Sequence, residues 1–98
     1  MEFEWDDAKA AANDRKHGVT FAEAATAFAD PLAALFPDPD HSADETREIL
    51  IGYSERGRLL IVSFTERRPN LRIISARVAS PAERRNHEDN PMGGPPGE

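Results

Sequence analysis

Three arginines, Arg47, Arg72 and Arg77, fall at the start of or within stretches that read as β-strands, and every cation after residue 46 is arginine rather than lysine. A guanidinium is a planar, permanently charged fork that can grip two oxygens of a phosphate or a carboxylate. Glu66 closes the second of these stretches and Ser75 sits inside the third, so the strand ends are where polar groups collect and where a site would lie. Proton transfer near neutrality points to His17 and His87, because an unperturbed imidazole titrates near pH 6.5. Lys16 and His17 also have a plainer explanation, since both fall in the last turn of a helix, where the dipole favours positive charge. Asp38, Asp40 and His41 form a conceivable oxygen/nitrogen ligand set, but a proline- and aspartate-rich turn explains them more simply, and no metal or cofactor is expected. With no cysteine in the chain, thiolate nucleophiles and thiolate metal sites are excluded.

The element that must position these residues is a sheet. Residues 48–66 hold two apolar runs separated by Ser54-Glu-Arg-Gly57, and a third run follows at 71–77 after Arg67-Arg-Pro-Asn70, which predicts three antiparallel strands joined by hairpin loops. In the middle run Leu60, Val62 and Phe64 alternate with Leu59, Ile61, Ser63 and Thr65. Both faces are therefore partly apolar, as in a central strand covered on both sides. Strict alternation in the third run puts Leu71, Ile73, Ser75 and Arg77 on one face and Arg72, Ile74, Ala76 and Val78 on the other. On that reading Arg72 and Arg77 divide the work between opposite faces.

Ahead of the sheet, Glu2-Phe-Glu-Trp5 suits a short edge strand. Asp6 caps a first helix over 8–17, ended by Gly18. Thr20 and Glu23 form the capping box of a second helix, with Val19 as its staple and Phe21, Ala24, Ala25 and Phe28 on its buried face, running to Asp30-Pro31. Residues 32–36 could add a short strand. Ser80-Pro-Ala-Glu83 opens a final helix reaching about Asp89. The expected product is one α+β domain over residues 1–89, followed by a flexible Pro/Gly-rich tail at 90–98.

Net charge is −6 over 98 residues, which by itself argues against a nucleic-acid binder. The distribution is uneven: residues 1–46 carry three Lys/Arg against eleven Asp/Glu, whereas residues 47–89 carry nine Arg against six Asp/Glu. A local basic surface on an acidic protein is thus possible, as is docking of a basic partner on the acidic half. The N-terminus has no basic region followed by an apolar run, so neither a secretory signal nor a membrane span is expected, and a cytoplasmic protein fits best.

Phe3-Glu-Trp-Asp6, Lys9, Asn13, Lys16-His-Gly18, Phe21-x-x-Ala-Ala25, Phe28-Ala-Asp30, Arg47, Gly52 and Arg72-Ile-Ile-Ser-Ala-Arg77 through Glu83-Arg84, in this order, resemble the BrnT family of type II toxins to about residue 89. The resemblance implies a RelE-like fold: a curved antiparallel sheet with two N-terminal helices and one C-terminal helix. It implies a small, metal-independent endoribonuclease that cleaves RNA and inhibits translation. It further implies a BrnA-type ribbon-helix-helix antitoxin as partner, with operator DNA contacted only through that antitoxin. A different reading is a non-catalytic binding subunit of the toxin–antitoxin repressor complex, consistent with the acidic charge and with His87 standing where the family pattern has an aromatic hydroxyl.

Cleavage of this kind needs a proton acceptor for the 2′-hydroxyl, fixed positive charge at the phosphate, and a proton for the leaving 5′-oxygen. Arg47, Arg72 and Arg77 are the candidates for the charge, and Glu66, His17 and His87 for the proton transfers, with Glu66 also placed to pair with a neighbouring arginine. Lys16, His17, Ser75 and Arg84 are candidates for binding substrate.

Overall fold

The computed structural model describes residues 2–38 and 46–89. The expected tail at 90–98, together with Asp40 and His41, lies outside the described residues. Five strands form one sheet in the order β1-β5-β4-β3-β2, with β1 spanning Glu2–Glu4, β2 Ala34–Pro37, β3 Arg47–Tyr53, β4 Leu59–Arg67 and β5 Asn70–Val78. The predicted meander β3-β4-β5 is antiparallel throughout, and the predicted short strands sit at the two edges. One pairing differs from expectation. β1 runs parallel to β5, which makes the sheet mixed rather than wholly antiparallel.

Helix α1 (Asp7–His17) starts on the Asp6 carboxylate, which accepts the Lys9 N–H at 2.9 Å, and stops at Gly18, whose φ of 68° is the left-handed conformation glycine adopts without strain. The second helix is shorter than predicted. Helix α2 spans Phe21–Thr26 and gives way to a 3-10 turn at Ala27–Ala29. Its box is only half closed. The Thr20 hydroxyl accepts the Glu23 N–H at 3.1 Å, but the Glu23 carboxylate turns inward, where it accepts from Ser54 Oγ at 2.7 Å and from both Nε and Nη2 of Arg58. The carboxylate thereby ties α2 to the β3–β4 hairpin. Arg58 holds the Glu23 pKa below the ordinary range despite the opposing effect of burial.

Helices α1 and α2 cover one face of the sheet, and helix α3 (Pro81–Asp89) lies on the other. Val19, Phe21, Ala24, Leu60, Val62 and Phe64 belong to the core under α1 and α2, and Ile51, Leu59, Ile61 and Ala79 to a smaller core on the α3 side. Four consecutive residues of β4, Leu59 to Val62, are at most 6% exposed, so the central strand is buried on both faces as its sequence predicts.

Asn13 is the main polar anchor of the larger core. Its carboxamide donates to the carbonyls of Val19 and Ala76, both at 2.9 Å, and accepts the Ala76 N–H at 3.1 Å, joining α1 to β5 with its hydrogen-bonding groups occupied. Asp30 has a similar role at the other edge, accepting the N–H groups of Leu32 and Tyr53. Gly52 allows β3 to pass the 3-10 turn, because a Cβ there would lie 2.9 Å from the Ala27 carbonyl oxygen.

Candidate functional site

Strict alternation fails in β5, and the failure brings candidate residues onto one face. Between Ser63 and Phe64 of β4 the pairing shifts, with Ser63 opposite Ser75 but Phe64 opposite Ile73, so Ile74 is the extra residue of a β-bulge. Leu71 and Ile73 before the bulge, and Ala76 and Val78 after it, all pack on the α1/α2 face. The remaining polar residues of the strand are therefore collected on the opposite face. The expectation that Arg72 and Arg77 point to opposite faces is corrected: one inserted residue restores them to the same side.

Register extends this row across the sheet, since directly paired residues share a face. Arg47 pairs with Thr65, Thr65 with Arg72, and Arg72 with Glu4, forming one lateral row over β3, β4, β5 and β1. The next rows contain Ile49, Ser63 and Ser75, then Ile51, Ile61 and Arg77. With strands about 4.8 Å apart, the Cα atoms of Arg47 and Arg72 are separated by about 10 Å, within reach of one extended sugar-phosphate segment. Thr65 lies between them, 2% exposed and donating to the Thr46 carbonyl at 2.6 Å. Alternation puts Thr65 with Ser63 on one face of β4, and two hydroxyl residues at the end of an otherwise aliphatic strand face are the sequence signal for this row.

Arg72 and Arg77 are each held by a carboxylate. Arg72 Nη1 lies 3.1 Å from Glu4 Oε2, and Glu4 also accepts from Asn70 Nδ2 at 3.2 Å. Arg77 donates from Nη1 and Nη2 to the two oxygens of Glu83, at 2.7 and 2.9 Å. Glu83 simultaneously completes the predicted capping box, accepting the Ser80 N–H at 2.9 Å while Ser80 Oγ accepts the Glu83 N–H at 3.1 Å. The Arg77 guanidinium is the main reason that the Glu83 carboxyl sits at about 2, and the carboxylate in turn raises the Arg77 pKa. A bidentate pair of this kind leaves three of the five guanidinium hydrogens for another acceptor. The side chain of Arg77 is 42% exposed, so those hydrogens have a route to ligand.

Helix α3 brings a histidine to the same face. His87 is buried, with its ring 6.3 Å from that of Tyr53 and tilted by 59°, and the Tyr53 hydroxyl donates to Glu88 at 2.8 Å. That bond raises the phenol's pKa and keeps it protonated. Arg84 is exposed on the same helix. Other candidates lie elsewhere. Lys16 and His17 end α1 on the opposite side of the sheet. Glu66 pairs with Leu71 of that same side and forms an exposed ion pair with Arg68 at 3.2 Å, as its sequence setting suggested. The structure thus puts Arg47, Arg72, Ser75, Arg77 and helix α3 with Arg84 and His87 on one face, Arg47 and Arg72 toward one end of the strands and His87, against Tyr53, toward the other, and leaves Lys16, His17 and Glu66 on the opposite face.

Among the described residues no three His, Asp or Glu side chains cluster as metal ligands, and no helix is long and apolar enough to cross a membrane. What the arginine face can do is hold an extended polyanion beside a set of hydroxyls and one imidazole.

A small α+β domain that offers such a face is suited to phosphodiester chemistry, and comparison with known proteins narrows the class to ribonuclease toxins. Residues 5–83 match the model described as ribonuclease toxin, BrnT, of type II toxin-antitoxin system, and the chain belongs to that family. The crystal structure of the Brucella abortus ribonuclease toxin BrnT, determined at 1.1 Å, is similar at 31% sequence identity and a TM-score of 0.65, covering 82% of this chain and 97% of the Brucella chain. No curated protein sequence matches the chain.

Proposed function

We propose that this chain is a metal-independent endoribonuclease that arrests translation by cutting RNA in the cytoplasm and is neutralised by a BrnA-type ribbon-helix-helix antitoxin. The observation that carries this reading is the bulge in β5, which puts Arg72 and Arg77 on the face that also holds Arg47. Permanently charged guanidinium groups stabilise the extra negative charge of the phosphorane-like transition state without a metal. His87 is the imidazole on that face and is assigned the proton transfers, with Ser75 and Arg84 contacting the RNA chain. Lys16, His17 and Glu66, on the other side of the sheet, are given no part in the chemistry. Operator DNA is contacted through the antitoxin, in keeping with a net charge of −6 on this chain.

The alternative of a non-catalytic binding subunit finds its support in the engagement of Arg72 and Arg77 by Glu4 and Glu83. Incubation of purified, antitoxin-free protein with RNA in the presence of a chelator separates the two. Cleavage leaving 2′,3′-cyclic or 3′-phosphate ends, reduced about 100-fold or more by Arg72→Ala or Arg77→Ala, is the expected result. Intact RNA supports the binding subunit, and cleavage that survives both substitutions removes the site assignment.

A further inference from the structure

The face opposite the arginines has its own surface feature. Leu35 and Leu32 are the exposed large hydrophobic residues among those described, at 60% and 76%. Leu35 lies on β2, at the edge of the sheet, and pairs with Leu50, so it points to the α1/α2 side. There it borders a groove of about 280 Å³ whose floor includes Phe28, Leu50 and Phe64 and whose rim carries the carboxylates Asp30, Glu48 and Glu66. An exposed leucine beside an apolar groove is what a partner's side chains can cover with a gain from lost water contact.

We propose that this groove docks a basic, amphipathic segment of the antitoxin, its apolar side chains on Phe28, Leu35 and Phe64 and its Lys or Arg residues against Asp30, Glu48 and Glu66. This rests on the reading of the chain as a toxin held by an antitoxin. Charge decides among occupants. Three rim carboxylates repel nucleic acid and anionic lipid, and a two-fold contact between copies would bring like-charged rims together. A basic polypeptide reverses both objections. The Glu66–Arg68 pair is exposed and weakly held, so it is readily exchanged for a partner's cation. Docking there leaves the arginine face and its chemistry on the far side of the sheet.

The test uses the full chain and its cognate antitoxin, with dissociation constants measured by calorimetry at two salt concentrations. Leu35→Glu and Glu48→Arg are each expected to weaken binding tenfold or more, and Glu48→Arg also to reduce the salt dependence, while Glu55→Lys, on the β3–β4 turn, leaves both unchanged. Leu35 and Glu48 lie outside the arginine site, so RNA cleavage by the free variants should equal that of the parent chain. Unchanged affinity in both groove variants overturns the assignment. So does a concentration-dependent dimer of the free chain that Leu35→Glu abolishes, since the groove then belongs to a second copy. Antitoxin binding lost through Leu35 and Glu48 supports the assignment whether or not the chain cuts RNA, which keeps the nuclease reading a separate question.

Discussion

Replacing Glu83 by Gln isolates one interaction at the candidate site. Gln also serves at the third position of a capping box, so its carbonyl can still accept the Ser80 N–H, whereas the charged fork to Arg77 is lost. The Glu83 carboxyl sits at about 2 against an ordinary 4.5, a difference equivalent to roughly 3–4 kcal/mol at about 1.4 kcal/mol per unit. Because the Arg77 side chain is 42% exposed, water screens the pair, and about 1–2 kcal/mol is the expected loss at pH 7. For a domain of this size that lowers the melting temperature by about 5–15 °C. The pKa is lower folded than unfolded, so the stabilisation is complete above pH 4.5 and disappears as pH falls toward about 2. Urea titrations of the parent chain and Glu83→Gln at pH 7, 4.5 and 3 should show a gap that is largest at pH 7 and narrows below 4.5. No gap at pH 7, or one that stays constant down to pH 3, would show that the fork contributes nothing through charge and that Arg77 is positioned by something else.

Asn13→Ala removes three buried hydrogen bonds and strands the carbonyls of Val19 and Ala76 and the N–H of Ala76, so a loss of about 2–4 kcal/mol is expected in urea unfolding. Amide exchange at Ala76 should quicken more than at Ile61. Gly52→Ala places a methyl 2.9 Å from the Ala27 carbonyl oxygen and 3.0 Å from the Ala33 Cβ, neither of which is the flexible end of a side chain. Strand β3 or the 3-10 turn must shift, at a loss of about 1–3 kcal/mol readable as a lower urea midpoint.

The strands were legible because β3, β4 and β5 are separated by turn residues and because β4 is apolar on both faces. The caps at Asp6, Thr20 and Ser80 were legible because each uses a short side chain at fixed spacing from the N–H it accepts. What the sequence concealed was the relation between faces beyond the bulge. A period of two assigns every residue to a side, but one inserted residue reverses the assignment for all that follow, and Ile74 carries no glycine or proline to announce it. Glu23 leaves its half of the capping box for a related reason. Its spacing from Thr20 fits a capping box, yet Arg58, 35 residues later in the chain, offers a stronger partner than a backbone N–H. Asn13 belonged to the family-like pattern, but its role depends on Ala76, a partner no local rule names.

An acidic protein with an arginine-bearing face follows from the pleat itself. Arg47 and Glu48 are neighbours in β3, as are Glu66 and Arg67 in β4, so each charged pair is split between the two sides of the sheet. Arg47 and Arg67 go to the side of Arg72 and Arg77; Glu48 and Glu66 go to the groove beside Leu35. The sum of −6 therefore averages two surfaces of different character. Electrostatic selection acts locally, because charges a Debye length of about 8 Å apart or more are largely screened at physiological salt. The same alternation that builds the sheet thus leaves the arginine face and the carboxylate-rimmed groove to be altered by separate sets of residues.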